Sequence, residues 1–481
     1  MSTPRSNVFA NLIWRFAERC GAQLVAFIVS IVLARVLDPD VYGTVALITV
    51  FTIILQVFVD SGLGNALIQK KDADQLDFST VFFANITFCV LLYGVLFLCA
   101  PFIAAFYNNM DLVPLVRVLG LTVVVSGLKN VQQAYVSRNL LFKKFFFSTL
   151  GGTVTAAVVG IAMALNGFGV WALVAQQVIN VTIDTLILWI TVPWRPSKEF
   201  SLTRLKELFS FGWKLLTSAL IDTVYTNLQQ LIIGKLYTSS DLAYYNQGSK
   251  FPDVIINNIN TTIDSVILPV MSKVQDQKVR VKNMLRRSIK ISTYVMAPLM
   301  VGLAAVAPAL IELVLTEKWL PCVPFLRVFC ITGIFYPIHT ANLNALKALG
   351  RSDIFLKLEI EKKIAGFVIL FSVMMFGVEA ILYSKLLVSL LSQIINSAPN
   401  KKLLDYGYLE QLKDIMPQII LAAVMGVLVG FVSLWNLPLL VELFLQMLLG
   451  VGIYVVGSKM FKLDSFEYLL ETLKGFKRKE S

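Results

Sequence analysis

Apolar residues in this chain come in runs of twenty or more, separated by short polar turns. An α-helix needs a run of that length to cross about 30 Å of hydrocarbon. The pattern predicts fourteen spans, at 9–34, 43–68, 79–104, 113–136, 146–166, 169–192, 211–235, 252–271, 288–314, 325–347, 357–376, 378–398, 415–434 and 437–458. The ten-residue alternating segments of a membrane β-barrel are absent. The expected fold is an all-α membrane protein.

One hairpin recurs. An apolar helix ends at Leu33-Ala34-Arg35, a turn follows through Asp38-Pro39-Asp40 and Tyr42-Gly43, and a second helix stops at Lys70-Lys71. The pattern returns at Ile233-Gly234-Lys235, Ser239-Ser240-Asp241 and Tyr244-Tyr245, with a helix ending at Met271-Ser272-Lys273. Asp60-Ser61 answers to Asp264-Ser265. Val116-Arg117-Val118 answers to Leu326-Arg327-Val328, and Gly169-Val170-Trp171 to Gly377-Val378-Glu379. Each repeat holds six spans, an even number, so both enter the membrane from the same side. The expected organisation is a six-helix lobe over 1–200, a second over 201–405, and two further spans with an amphipathic tail over 406–481.

Composition agrees with this pattern. Hydrophobic residues make up 57% of the 481 and charged residues only 15%. The net charge of +12 invites a nucleic-acid reading, which the distribution rejects. About 35 of the 42 Lys and Arg fall at alternate, inward-facing segments, the positive-inside pattern. That alternation predicts both termini on the cytoplasmic side. The first apolar run contains Arg15, Glu18 and Arg19 and lacks a cleavage site, so it does not read as a signal peptide. The five cysteines form no C-x-x-C and read as packing residues.

Two basic amphipathic stretches are expected in the headgroup layer, on anionic phospholipids. One carries Phe200, Leu202, Leu205, Leu208 and Phe209; the other carries Phe466, Leu469, Leu470, Leu473 and Phe476. No loop contains a phosphate-binding G-x-x-x-x-G-K-[ST], and no metal, nucleophile or cofactor constellation appears. A membrane glycosyltransferase or polymerase would need paired acids on an outer loop. Asp38-Pro39-Asp40 is the one candidate, and its place in the repeated turn suggests geometry instead.

Polar groups inside spans are costly in lipid and face a cavity or a partner. The seventh span carries Asp222, Thr223, Tyr225, Thr226, Asn227, Gln229 and Gln230. The eighth carries Asn257, Thr261 and Asp264 on one face, and the sixth carries Gln176, Asn180 and Asp184 at i, i+4, i+8. Two readings stand side by side: a wet cavity that meets sugar hydroxyls, or interhelical hydrogen bonds that hold the bundle. Asp60 and Asp264 suit a cap or a pairing with a loop Lys. Arg117 and Arg327 open the fourth and tenth spans at the outer face, where they flank an exit or snorkel. His339, the single histidine, is either a hydrogen-bonded core residue or a proton-coupling group.

Four stretches together carry a family resemblance: LARVLDPDVYG, VDSGLGNALIQKKD, GFGVWALVAQQ and GKLYTSSDLAYYNQGSKFPDV. The chain resembles the polysaccharide-transporter branch of the MOP superfamily, the Wzx-type flippases and O-antigen or exopolysaccharide exporters. The resemblance implies a bacterial inner-membrane protein with two lobes around a cavity. It implies transfer of undecaprenyl-pyrophosphate-linked oligosaccharide by alternating access, with a polysaccharide polymerase and chain-length machinery as neighbours. Where relatives often have an Asp near the end of the seventh helix, this chain reads Gln229-Gln230, so no role is carried over. A cation-coupled multidrug antiporter of the same superfamily is the alternative, and would favour an acidic cavity.

The implied pyrophosphate needs cations within the membrane. Arg15 and Arg19 lie on one face of the first span, about 9 and 15 Å from its inner end at 1.5 Å per residue. They are the expected anion ligands, with Lys214 accessory and Asp222 pairing with Arg19 once the substrate has left. The competing reading is an ion pair of either Arg with Glu18 within the helix.

Overall fold

The computed structural model describes residues 5–60, 63–435 and 437–471. Side chains are described at Trp14, Glu18 and from residue 21 onward, apart from 211, 214 and 262. The chain divides into two compact units, Met1–Ala243 and Tyr244–Ser481.

The first unit holds α1 (Arg5–Val36), α2 (Pro39–Asp60), α3 (Leu63–Gln69), α4 (Gln75–Phe106), α5 (Leu112–Arg138), α6 (Phe142–Leu165), α7 (Val170–Thr191) and α8 (Leu202–Leu236). Helix α9 (Ser239–Ser272) begins here and runs into the second unit. That unit continues with α10 (Lys278–Leu315), α11 (Val323–Ile334), α12 (Tyr336–Ala348), α13 (Ser352–Val373), α14 (Val378–Leu404), α15 (Tyr408–Gly430) and α16 (Leu439–Met460).

Among the described residues, each expected span falls on helix. Among the described residues eleven helical segments are long and apolar enough to cross a membrane. The three expected spans outside that set are the first, the seventh and the eleventh. The stretch of α1 with described side chains, Gly21–Val36, is apolar. Helix α8 carries the polar run from Asp222 to Gln230, and α13 carries Lys357, Glu359, Glu361, Lys362 and Lys363. Such helices cross only where neighbouring protein or water shelters them.

Several helices run well past the apolar stretch that predicts them. Helix α8 starts at Leu202, so the amphipathic link up to Phe209 is its first two turns and not a separate helix. Ser201 caps it, its side chain accepting from the Arg204 backbone N–H at 3.4 Å. Hydropathy reads the thickness of the membrane, whereas helix length also includes the hydrated turns beyond it. The tenth span, Glu317–Ala348, breaks at Phe335, where Pro337 supplies no backbone N–H to continue the ladder.

The two copies of the repeated turn meet inside the first unit. Ser240 Oγ donates to Asp40, and a Cβ at Gly43 would stand 1.7 Å from the Ser239 carbonyl oxygen. One turn below, a Cβ at Gly234 would stand 1.9 Å from a Leu47 methyl. Gly43 of α2 thus lies against the backbone that opens α9, where only glycine fits, and Gly234 of α8 lies against the Leu47 side chain of α2. Equivalent residues also share a backbone conformation: Gly169 (φ 54°) and Gly377 (φ 107°) open α7 and α14 in the left-handed region that glycine tolerates.

Helices α15 and α16, which have no counterpart in the repeat, are built into the second unit. Asn342 and Gln411 exchange amide bonds at 2.8 and 3.0 Å, and Asn400 donates to Asn342 Oδ1 at 2.7 Å. All three are fully buried, and they join α12, α14 and α15. The basic tail is described only to residue 471, so Leu473 and Phe476 lie outside the described residues.

Candidate functional site

The expected anion ligands stand on helical backbone: Arg15 and Arg19 in α1, four residues apart, and Lys214 in α8. Their side chains lie outside the described residues.

Helix α8 is held to the first unit at both ends. Near its start, Asp77 is fully buried and takes Lys70 at 3.0 Å and Arg204 at 3.5 Å, with Glu207 completing the group at 3.3 Å from Lys70. Asp74 and Asp77 also form a reciprocal cap on α4. Near the far end of α8, Lys235 Nζ sits 4.4 Å from the Phe106 ring centre and donates to the Phe106 carbonyl. Between these anchors lies the polar run. Asp222 is exposed, and its carbonyl accepts from Thr226 Oγ1 at 3.0 Å. Asn227 donates to the Thr223 carbonyl at 2.8 Å, one turn back on its own helix.

The α7 stripe is packed. A Cβ at Gly160 would stand 3.1 Å from Gln176, and one at Gly152 would stand 2.9 Å from Asn180 Oδ1. Glycines on α6 thus receive the polar side chains of α7. Asp184 forms an ion pair with Lys129 of α5 at 3.0 Å, and its other oxygen, Oδ1, is buried without a hydrogen bond. Lys129 stands in electrostatic reach of Asp60 as well. Asp60 accepts from Gln56 at 3.1 Å, and Asn130 Nδ2 donates to the Val59 carbonyl at 2.9 Å, which caps the end of α2. Asp264, the counterpart of Asp60 in the repeat, accepts from Asn344 of α12 at 2.6 Å.

In the second unit, Asn257 and Thr261 are exposed on α9. The Thr261 hydroxyl turns back onto the Asn257 carbonyl at 2.6 Å. Asn260, which the sequence reading passed over, is buried and accepts from Thr340 at 3.0 Å. His339 meets Asn396 at 3.1 Å, a hydrogen bond in which the imidazole nitrogen accepts if the amide donates.

Charges that the sequence reading did not assign converge on α9 and α14. Lys385 Nζ lies 5.4 and 5.1 Å from the ring centres of Tyr245 and Phe329, within cation–π range. Asp253 is in electrostatic reach of Lys385. Lys250, one turn before Asp253, makes no hydrogen bond or ion pair among the described residues. On α13, Lys362 is held by Glu359 at 2.6 Å. The sequence signal for these groups is a charge inside an apolar run, the same signal that singled out Asp222.

The repeated arginines behave alike. Arg117 Nε donates to the Phe97 carbonyl at 3.4 Å and Arg327 Nε to the Ala304 carbonyl at 3.2 Å. Arg117 is covered by the Phe97 ring, 4.0 Å from its centre.

Comparison with known proteins places the chain. The family described as "Polysaccharide biosynthesis protein" matches residues 32–324, from the last turn of α1 to the start of α11. The chain is 29% identical over 306 residues to the teichuronic acid biosynthesis protein TuaB of Bacillus subtilis, covering 63% of each chain. It is 25% identical over 338 residues to the lipopolysaccharide biosynthesis protein WzxC of Escherichia coli, covering 69% of this chain and 68% of that one. To the succinoglycan biosynthesis transport protein ExoT of Rhizobium meliloti it is 24% identical, covering 73% and 72%. The fold matches the lipid II flippase MurJ in an inward closed conformation with a TM-score of 0.72 at 12% identity, over 94% of this chain and 99% of that one. An inward-facing multidrug resistance MATE transporter of the MOP superfamily follows with a TM-score of 0.59 at 14% identity, over 82% and 95%. From the family match over more than half its length, the chain belongs to the polysaccharide biosynthesis protein family.

Proposed function

We propose that this protein moves a lipid-linked oligosaccharide across the bacterial inner membrane for surface polysaccharide synthesis, by alternating access between two six-helix lobes at 1–200 and 201–405. The observation that carries this reading is α8. It carries seven polar residues between Asp222 and Gln230, interrupted only by Val224 and Leu228, between one anchor at Asp77 and another at Phe106. A helix of that composition suits a water-lined path for sugar hydroxyls. Support comes from relatives named for teichuronic acid, lipopolysaccharide and succinoglycan biosynthesis, and from a fold shared with a lipid-linked precursor flippase. The substrate's pyrophosphate would be taken by Arg15, Arg19 and Lys214, with Asp222 closing on Arg19 after release. Arg117 and Arg327 would flank the exit, and a polymerase with its chain-length machinery would receive the product. Deleting the gene should make the undecaprenyl-pyrophosphate-linked repeat unit accumulate in the inner leaflet, seen by mass spectrometry of extracted lipids. Normal levels of that intermediate with normal surface polysaccharide would rule the reading out.

The same reading puts both termini and the α7–α8 link in the cytoplasm, on the strength of the charge alternation. Ser197 is unsuited to test this, because its hydroxyl is bonded to Ser79 at 2.9 Å. Lys198 is exposed. In a cysteine-free background, Lys198→Cys should react with a membrane-impermeant maleimide only after the membrane is opened. Labelling in intact spheroplasts would overturn the topology.

A further inference from the structure

The second unit contains a cavity of about 660 Å³ between α10, α11, α15 and α16, near the end where α10 stops and α16 begins. Its walls are small and apolar, among them Ala304, Ala305, Ala423, Gly426 and Gly430. Three ionisable side chains line it from three helices: Glu312, Arg327 and Glu442. None forms an ion pair with another within 4.0 Å among the described residues. The cavity therefore presents separated charges of both signs against an apolar wall.

Two details show that the polar side of this cavity is built. Glu442 is only 7% exposed. One of its oxygens accepts from Gln446 Nε2 at 3.0 Å, and the other takes no hydrogen bond among the described residues. Gln446 is buried, also donates to Ser433 Oγ at 2.9 Å, and keeps its own amide oxygen buried without a partner. The second Glu442 oxygen is open to the cavity, where it can accept from a donor. The repeat supplies the second detail. Arg117 and Arg327 make the same bond to the preceding helix, but the ring that covers Arg117 is replaced by the Ala304 methyl beside Arg327. Of the two arginines, the one without an aromatic cover is the one whose cavity α16 supplies with a carboxylate, Glu442.

We propose that this cavity binds a phospholipid with a primary-amine zwitterionic headgroup, the ammonium on Glu442 and Glu312 and the phosphate on Arg327. The match is one of charge and of hydrogen bonding. A primary ammonium carries three N–H donors for carboxylate oxygens, and a guanidinium suits phosphate. The Ala and Gly wall leaves room for the glycerol and the first carbons of the acyl chains. Phosphatidylglycerol offers no cation to Glu442. Phosphatidylcholine offers a cation without an N–H. In the topology proposed above the lipid would be drawn from the outer leaflet, but the binding itself depends neither on that topology nor on what the protein transports.

Native mass spectrometry of the purified full-length protein, equilibrated with equal amounts of dioleoyl phosphatidylethanolamine, phosphatidylcholine and phosphatidylglycerol, tests this. The wild type should retain phosphatidylethanolamine over each competitor by about five-fold or more, the scale of a charge-assisted hydrogen bond. Glu442→Gln should remove that preference. Gly430→Leu provides a second arm, because Gly430 lines the cavity and a Cβ there meets nothing within 4 Å, so a larger side chain takes up cavity space. It should lower retention of phosphatidylethanolamine while the thermal unfolding midpoint stays put. Equal retention of the three lipids by the wild type, or a preference unchanged in both variants, overturns the proposal.

Discussion

Asp184→Asn will strip the first unit of much of its stability, by about 3–5 kcal/mol, the usual cost of breaking a buried ion pair from one side. Asp184 and Lys129 have side chains 11% and 15% exposed and lie 3.0 Å apart. The substitution removes the carboxylate and leaves an ammonium inside the bundle. Asp184 Oδ1 already lacks a hydrogen bond, so little else compensates. Lys129→Met together with Asp184→Leu should recover most of the loss, because two apolar side chains of similar volume carry no desolvation penalty. Thermal unfolding in detergent of the single and double variants decides the matter. Asp60 adds a specific complication, since it stands in electrostatic reach of Lys129. If Asp184→Asn proves mild but becomes severe in combination with Asp60→Asn, Lys129 has two partners to choose from. If both prove mild, the pair does not hold α5 to α7.

Much of this architecture was legible in the order of apolar and polar residues. Lipid demands helices of a given apolar length, so each expected span falls on a helix. The repeated turn at Asp40 and Asp241 was legible for the same reason that it is repeated: it packs against itself, through Asp40 and Ser240, and tolerates only glycine at position 43. The pairing of charges was not legible. Gln176, Asn180 and Asp184 form a stripe that fits a wet cavity equally well, and the choice depends on Gly152 and Gly160 of another helix. Lys129 lies toward the inner end of α5 and reads as one of the inward-facing basic residues, yet it reaches Asp184 55 positions away. The Asn342, Gln411 and Asn400 group joins three helices through side chains that carry no local pattern. Such partners are set by tertiary contact, which a periodicity along one helix does not encode.

Arg19→Ala should abolish transport while leaving the protein folded and inserted. A pyrophosphate entering the membrane loses hydration that only a cation within the path can replace. Arg15 and Arg19 are four residues apart in α1, the spacing that puts two positions on one face of a helix. Together they can offer two guanidinium forks to one pyrophosphate, and a fork matches phosphate oxygens two at a time. Arg19→Lys should therefore restore transport only in part, because a compact ammonium keeps the charge and loses the paired geometry. The structure also supplies a competitor: Lys250 and Lys385 stand in the second unit, and Lys250 has no ion pair among the described residues. The comparison is direct in membranes that carry the lipid-linked substrate, with transfer to the outer leaflet measured for Arg19→Ala, Lys250→Ala and Lys385→Ala at matched expression. If Arg19→Ala transports normally and Lys250→Ala does not, the anion is held by α9, and α1 serves only to hold Glu18 and its neighbours in place. If Arg19→Ala alone is inactive, and Arg19→Lys recovers a minor fraction, the two arginines of α1 hold the pyrophosphate.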